Sequence, residues 1–334
     1  MTIEHKHILV TGGAGYIGSH AVWALIDAGA HVTVVDNLTT GHRWAVPGQA
    51  DFFEGDVGDA GFMNDVLSKQ GFDGVMHFAG SVVVPESVEN PLKYYRNNTV
   101  VTRNLLECAV THAVPYFIFS STAAVYGVPD VTQVGEDTPK SPINPYGMSK
   151  LMSEAMLADV SKAHGLNYAA LRYFNVSGAD PQGRTGQSTD GATHLIKVAC
   201  EAALGKRDGI SIFGTDYSTQ DHTAVRDYIH VSDLVSAHVA ALVYLINHPG
   251  ENLTLNLGYG RGFSVREVLD AVEKVADTSL NIREEGRRAG DPAELVSDVK
   301  RLHETLDWQA QNDDLEKIIA NALSWEEHLS KRNG

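Results

Sequence analysis

Cysteine is almost missing from this chain: Cys108 and Cys200 are the only two among 334 residues. A disulfide framework is therefore excluded as its organising principle, and a reducing, cytoplasmic setting is the expectation. Basic residues are scarce as well, with 26 Lys and Arg against 42 Asp and Glu and a formal charge of -16. So acidic a chain is a poor match for nucleic acid or an anionic membrane surface, and neither is expected as a partner. No apolar run reaches the length of a membrane span, and Met1 to His7 is polar, so no signal peptide is expected. The 15 histidines are scattered without the HExxH spacing of a zinc helix, and no metal site is expected. There is no GxSxG elbow, and neither cysteine has a legible histidine partner, which removes the usual nucleophilic schemes.

What is present is ordinary globular composition, 43% hydrophobic and 20% charged, in a chain long enough for one large domain and a smaller one. Strand-like runs are expected at His7–Thr11, His31–Asp36, Ala50–Gly55, Gly74–Phe78, Tyr116–Ser120 and Tyr168–Phe174. Helices are expected between them at Tyr16–Ala28, Phe62–Lys69, Pro91–His112 and Pro145–His164. This alternation predicts an α/β fold, a Rossmann-like doubly wound parallel sheet whose strands are apolar on both faces. Gly178–Gly191 reads as a long loop, and beyond it a smaller C-terminal α+β domain is expected. The division expected is residues 1–177 for the dinucleotide and mainly 178–334 for the substrate, with a segment near 226–258 returning to the first. Ser264–Glu267 is a capping-box pattern opening a helix to about Ala276. A charged loop is expected over Arg283–Asp291, and helices near Asp298–Asp307 and Asp313–Leu329.

Gly12, Gly15 and Gly18 in TGGAGYIG stand between the first strand and the first helix. Such glycines permit a tight turn, close approach of a pyrophosphate, and close packing of helix on strand. The helix N-terminus adds free amide donors and a favourable dipole. Asp36 ends the second strand, placed for a carboxylate that binds both ribose hydroxyls and repels a 2′-phosphate. No arginine adjoins it, so NAD is favoured over NADP. Gly55-Asp56-Val57 and Phe78-Ala79-Gly80 fall at the ends of the next two strands, where Asp56 would meet the adenine and Phe78–Gly80 would line the cofactor.

Tyr146 and Lys150 lie at i, i+4 at the start of a helix and share one face. The ammonium is expected to lower the tyrosine pKa, so that a phenolate can act as general base on a hydroxyl. A single YxxxK is common; its position after the strand ending in Ser120-Ser121-Thr122 is what gives it weight. Thr122 is the expected relay hydroxyl, with Ser121 as the alternative.

TGGAGYIG, GDV, HFAG, SSTAAVYG, NPYGMSK, RYFNVSGAD and VRDYIHVSDL, in this order over about residues 7–330, resemble the UDP-glucose 4-epimerases of the extended short-chain dehydrogenase/reductase superfamily. The resemblance implies an isomerase that keeps NAD bound and interconverts UDP-galactose and UDP-glucose by transient oxidation to a 4-keto sugar, with Tyr146 as base. It implies NAD contacts at Tyr16, Ile17, Asp36, Asn37, Asp56, Val57, Phe78, Ala79, Gly80, Asn97, Lys150 and Phe174. UDP-sugar contacts are implied at Thr122, Tyr146, Asn175, Leu195, Ser211, Ile212, Phe213, Arg226, Arg288 and Asp291. His194 stands where some members have an asparagine in the nucleotide site, and Leu295 where side-chain bulk is associated with acceptance of N-acetylated sugars. Val82 departs from a lysine found there in several members. A homodimer built on the Pro91–His112 and Pro145–His164 helices is implied too.

Related enzymes remain as alternatives: epimerases of UDP-N-acetylglucosamine, UDP-xylose or UDP-glucuronate, dehydratases and decarboxylases. The dehydratases carry an Asp-Glu pair after the threonine and the decarboxylases a nearby glutamate, whereas Thr122 is followed by Ala123 and Ala124. A non-catalytic NAD-sensing protein would be expected to lose the Tyr–Lys pair, which is intact.

Overall fold

The computed structural model describes residues 2–288 and 290–333. Its strands are β1 (His7–Thr11), β2 (His31–Asp36), β3 (Asp51–Glu54), β4 (Gly74–His77), β5 (Tyr116–Thr122), β6 (Gln133–Val134) and β7 (Asn167–Tyr173). They continue with β8 (Asn175–Ser177), β9 (Ile210–Phe213), β10 (Val225–His230), β11 (Leu253–Leu257), β12 (Gly262–Ser264), β13 (Ile282–Glu285) and β14 (Glu294–Ser297). The helices are α1 (Tyr16–Asp27), α2 (Ala60–Lys69), α3 (Val84–Glu89), α4 (Pro91–Tyr94), α5 (Val101–Thr111) and α6 (Pro145–His164). After them come α7 (Leu195–Ala203), α8 (Val231–Asn247), α9 (Val265–Ala276), α10 (Lys300–Thr305) and α11 (Leu315–Asn333).

Seven parallel strands form the central sheet in the order β11-β7-β5-β4-β1-β2-β3. The order reverses between β1 and β4, so the crevice outside their C-terminal ends is where such a sheet takes a ligand. Alternation along β1 shows why both faces must be covered: Ile8 and Val10 enter one core cluster and Leu9 the other. The first cluster is closed by α1 and α8, the second by α2, α5 and α6. The doubly wound sheet expected from the alternation is therefore the fold.

The chain leaves this sheet after β7 and comes back to it. Helix α8 packs against α1, and β11 pairs with β7 at the sheet edge. Between them in sequence, β10 belongs to a second sheet with β12, β14, β6 and β8, and β9 pairs with β13 separately. A third core cluster lies among α7, α9 and α11. Ser264 and Glu267 form the reciprocal capping box at the start of α9, with Ser264 Oγ accepting from Glu267 N at 3.0 Å. Among the described residues no helix is long and apolar enough to cross a membrane.

One expectation is refined and one corrected. Pro91–His112 is helical as far as Thr111, but a π-helical turn over Tyr95–Val100 separates α4 from α5. The charged stretch after Arg283 is a loop only in its second half, because Ile282–Glu285 pairs in parallel with Ile210–Phe213. The short α3 and the long α8 were not expected at all.

Candidate active site

The glycine loop is shaped by contacts that leave no room for side chains. Gly12 has φ +71, and a Cβ there would lie 2.6 Å from Ala79 N. A Cβ on Gly18 would lie 2.0 Å from the Gly12 carbonyl oxygen. Helix α1 then starts at Gly15 with no side-chain cap, so its first amides are available to an anion. Asp36, 7% exposed, accepts from Ala14 N at 2.9 Å and from Leu38 N at 2.8 Å, which seats its carboxylate against that loop. The nearest following arginine, Arg43, is turned onto the Phe52 ring at 4.5 Å. Asn37 is exposed and accepts from Thr39, Val57 is buried, and Asp56 is exposed with Gly58 N donating to it. Tyr16 donates to the Gly178 carbonyl at 2.7 Å, tying the start of α1 to the chain beyond β8, and Ile17 packs at the edge of the first core cluster. An uncapped helix behind a bare glycine turn with an acid beside it fits a dinucleotide.

The end of β4 continues this crevice. Phe78 N and Ala79 N both donate to the Thr11 carbonyl, at 2.9 and 3.1 Å. His77 bonds Thr11 Oγ1 at 2.7 Å and Thr102 Oγ1 at 3.0 Å, and burial pushes its pKa down to about 3, so it stays neutral. A Cβ on Gly80 would meet Asn98 Oδ1 at 2.9 Å and Lys150 Nζ at 3.7 Å. The π-helical turn supplies Asn98, whose Oδ1 accepts from Ser81 N at 2.8 Å while its Nδ2 donates to Ser149 Oγ at 3.0 Å. Asn97, expected to touch the cofactor, donates from Nδ2 to Ser81 Oγ at 3.0 Å. Val82 is 53% exposed beside these residues.

Asn-Pro starts α6 sharply: Asn144 accepts from Gly147 N at 2.9 Å, and Pro145 fills the first helical position. Tyr146 follows in the first turn and Lys150 one turn later. Lys150 is buried, donates to the Ser120 carbonyl at 2.8 Å and stands 5.0 Å over the Phe119 ring. Burial lowers its pKa to about 8 against the opposing pull of the Glu154 carboxylate. Burial raises the pKa of the Tyr146 phenol, and the nearby Thr122 side chain opposes that rise. The expected lowering by Lys150 is not found in the protein alone: burial dominates, and the ammonium is directed to a backbone oxygen. Ser121 donates to Glu154 Oε1 at 2.5 Å, and Thr122 is the hydroxyl that bears on the phenol's pKa.

The remaining predicted residues gather around the second sheet. Phe174 and Leu295 pack on the same small cluster about Tyr126, and Leu295 pairs with Arg226 across β14 and β10. Asn175 pairs with Tyr228 of β10. Arg226 Nη2 lies 3.9 Å from Asp291 Oδ1, and Arg288 covers the Phe213 ring at 3.8 Å. Ser211 and Phe213 share one side of β9; Ile212, 1% exposed, points the other way into the third core and can offer a ligand only its backbone. His194 and Leu195 open α7, with His194 Nδ1 2.7 Å from Gln187 Nε2.

The model of the NAD dependent epimerase/dehydratase family matches residues 8–258. The chain belongs to this family. Among its members, the UDP-glucose 4-epimerase of Azospirillum brasilense is 52% identical, over 100% of this chain and 95% of that protein. A crystal structure of a UDP-glucose 4-epimerase superposes with a TM-score of 0.95 at 46% identity, over 98% of this chain and 99% of that one. The UDP-glucose 4-epimerase of Brucella ovis, solved in complex with NAD, gives 0.92 at 45% identity, over 96% and 98%. Against the family's glycine loop and Tyr–Lys pair, sequence reasoning missed Ser81, Asn98, Glu154 and Arg172. Only the interruption of a helical pattern by Asn97-Asn98 could have signalled any of them.

Proposed function

We propose that this chain is an NAD-dependent UDP-glucose 4-epimerase, an isomerase interconverting UDP-galactose and UDP-glucose through a transient 4-keto sugar. The observation that carries the reading is the placement of Tyr146 and the buried Lys150 in the first turns of α6, beside a strand end where Thr122 is followed only by Ala123 and Ala124. A dehydratase or decarboxylase needs a further acid or base at that place, and alanine has no proton to give or take. NAD, when bound, would supply the acceptor and donor of hydride at carbon 4.

Tyr146 removes the proton of the sugar 4-hydroxyl, with Thr122 orienting it, and returns a proton when the carbonyl is reduced on its other face. Lys150, held by Ser120, places a positive charge near the phenol and a donor beside Gly80. The uncapped start of α1, Gly12, Gly15 and Gly18 hold the pyrophosphate, and Asp36 the adenosine ribose. Arg226 and Arg288 suit the UDP diphosphate, because a guanidinium fork matches two oxygens. Asn175, His194, Leu195, the β9 backbone, Asp291 and Leu295 complete the UDP-sugar site.

Residues 1–177 with α8 and β11 form the cofactor domain in this reading, and the rest mainly the substrate domain. We also place a homodimer interface on α5 and α6. Their outer groove is lined by Leu106, Val110, Met156 and Val160, and Leu92, Val100 and Met152 are exposed on the helices flanking it. Buried free thiols at Cys108 and Cys200 suit a cytoplasmic protein.

The test is a product assay on UDP-galactose, UDP-N-acetylglucosamine, UDP-xylose and UDP-glucuronate without added NAD. Interconversion of UDP-galactose and UDP-glucose is expected. Failure on all four would overturn the reading, and turnover of another sugar alone would move it to that substrate.

A further inference from the structure

Tyr146, Lys150 and Glu154 stand at i, i+4 and i+8 of α6, so one helix face carries a phenol, an ammonium and a carboxylate in turn. Glu154 is 8% exposed and both its oxygens are engaged. Oε1 accepts from Ser121 Oγ at 2.5 Å and from Arg172 Nε at 2.9 Å, and Oε2 accepts from Arg172 Nη2 at 2.6 Å. Ser121 and Arg172 are register partners across β5 and β7, and the next pair along is Thr122 and Tyr173. The carboxylate therefore fastens α6 to two strands, one residue short of the Thr122 hydroxyl. Arg172 is itself fixed from behind: Nη1 donates to Tyr126 Oη at 3.0 Å, and Tyr126 donates to Asn256 Oδ1 at 2.7 Å.

We propose that Glu154 is a positioning residue for the reaction at Tyr146, holding the phenol face of α6 in register with Thr122 and setting a buried negative charge beside Lys150. The proposal rests on the 4-epimerase reading. A buried ion pair alone is weak evidence of stability, since the desolvation of both ions opposes their attraction. This pair, however, fastens α6 one residue short of Thr122, where a small shift of the helix would move the phenol relative to that hydroxyl, and such displacements are costly to rate.

The groups around Lys150 define its charge balance. Glu154 on its own helix favours the ammonium against burial, and His77 on β4 stays neutral and adds no charge. From β7 come Arg172, paired with Glu154, and Tyr173, bonded to Ser120. The turn after β5 presents Tyr126, and the π-helical turn presents the neutral Asn98. On α3 and α4, Glu86 and Lys93 pair with each other, as do Arg103 and Glu107 on α5. Among these, Glu154 is the carboxylate that helix geometry, one turn away, puts next to Lys150.

The experiment follows epimerisation of UDP-galactose from about pH 6 to about pH 10 in the parent, Glu154→Gln and Glu154→Asp, each purified with its NAD. Glu154→Gln removes the charge and leaves Arg172 repelling Lys150, so the alkaline limb of kcat is expected about one pH unit below that of the parent. A limb at the parental pH overturns the role of the charge. Glu154→Asp keeps the charge and a partner for Arg172 but withdraws the carboxylate from the strand ends. Here kcat is expected to fall about tenfold or more, with KM and the alkaline limb unchanged. A kcat within about twofold of the parent overturns the positioning role, and this arm decides even where Glu154→Gln does not fold. Absence of turnover in the parent would instead defeat the epimerase reading and take the proposal with it.

Discussion

The Lys150 ammonium is bonded to the backbone oxygen of Ser120, at 2.8 Å, and not to the phenol of Tyr146 one turn before it. The phenol's pKa lies above the ordinary tyrosine value because burial disfavours the phenolate, with Thr122 opposing that rise. Reaching the base form therefore depends on positive charge gathered around the phenol, from Lys150 and, when NAD is bound, from its oxidised nicotinamide. Lys150 acts through its field and its place, which is a narrower role than direct proton exchange.

Tyr146→Phe deletes the proton acceptor and leaves the ring packing, including its edge-on contact with Tyr94 at 6.4 Å. Turnover of UDP-galactose is expected to fall by about 10²-fold to 10⁴-fold while NAD stays bound. Both are measured on one preparation, by product assay and by NAD released on denaturation. Near-parental turnover would remove Tyr146 from the mechanism.

A second prediction concerns alkali. Burial brings the Lys150 pKa in the folded protein from 10.5 down to about 8, so the ammonium is present below that pH and is lost above it. If that charge supports the phenolate, kcat should decline as pH rises through about 8, and Lys150→Met at neutral pH should resemble the parent at high pH. A kcat that stays level to about pH 10 would contradict this.

Much of the fold was legible because β1, β4, β5 and β7 are nearly continuous apolar runs, which only a sheet covered on both faces can hide. Gly12, Asp36, Tyr146 and Lys150 were legible for a related reason, since each lies at a fixed offset from a strand or helix end. The π-helical turn was not legible, because widening the helix after Tyr94 leaves no mark on the apolar period. The Ser121–Glu154–Arg172 linkage was hidden differently. Its members are brought together by the β5–β7 register, which no local spacing encodes. Ile212 shows how burial narrows a residue-by-residue expectation, since its side chain lies in the third core and only its backbone is left to face a ligand.

The choice between Thr122 and Ser121 is testable directly. Thr122→Ala should lower kcat by about tenfold to a hundredfold, and Thr122→Ser should restore most of it, because only the hydroxyl is needed beside the phenol. Equal losses in the two variants would point to the methyl group and to packing. Steady-state kinetics on UDP-galactose distinguishes these outcomes.

Gly12→Ala addresses the cofactor cradle. Its Cβ would approach backbone atoms of Ala79 and Phe78 at 2.6 to 2.9 Å, in a left-handed conformation that alanine disfavours. The loop must then move away from the end of β4. The purified variant is expected to carry little NAD and to melt at a lower temperature than the parent. Full NAD content would show that the pyrophosphate is held elsewhere.

Three buried histidines set the response to acid. Burial lowers His77 to about 3, and His20 and His238 to about 4, against 6.5 for an exposed imidazole. Between these limits the unfolded chain binds protons that the folded protein refuses, so stability is full above about pH 6.5 and falls as pH drops toward 4. His238 offers the cleanest test. Its Nε2 is buried without a hydrogen-bond partner among the described residues, and its ring lies 5.2 Å from Phe78. His238→Leu removes a titrating group and an unsatisfied polar atom together, so its melting temperature near pH 7 should stay close to the parent's. Between about pH 6.5 and pH 4.5 the variant should lose less of it, by an amount on the order of 1 to 3 kcal/mol in unfolding free energy. Melting curves of the two proteins that fall in parallel across this window would mean that His238 is not neutral in the fold, and would place the acid sensitivity in the carboxylates instead.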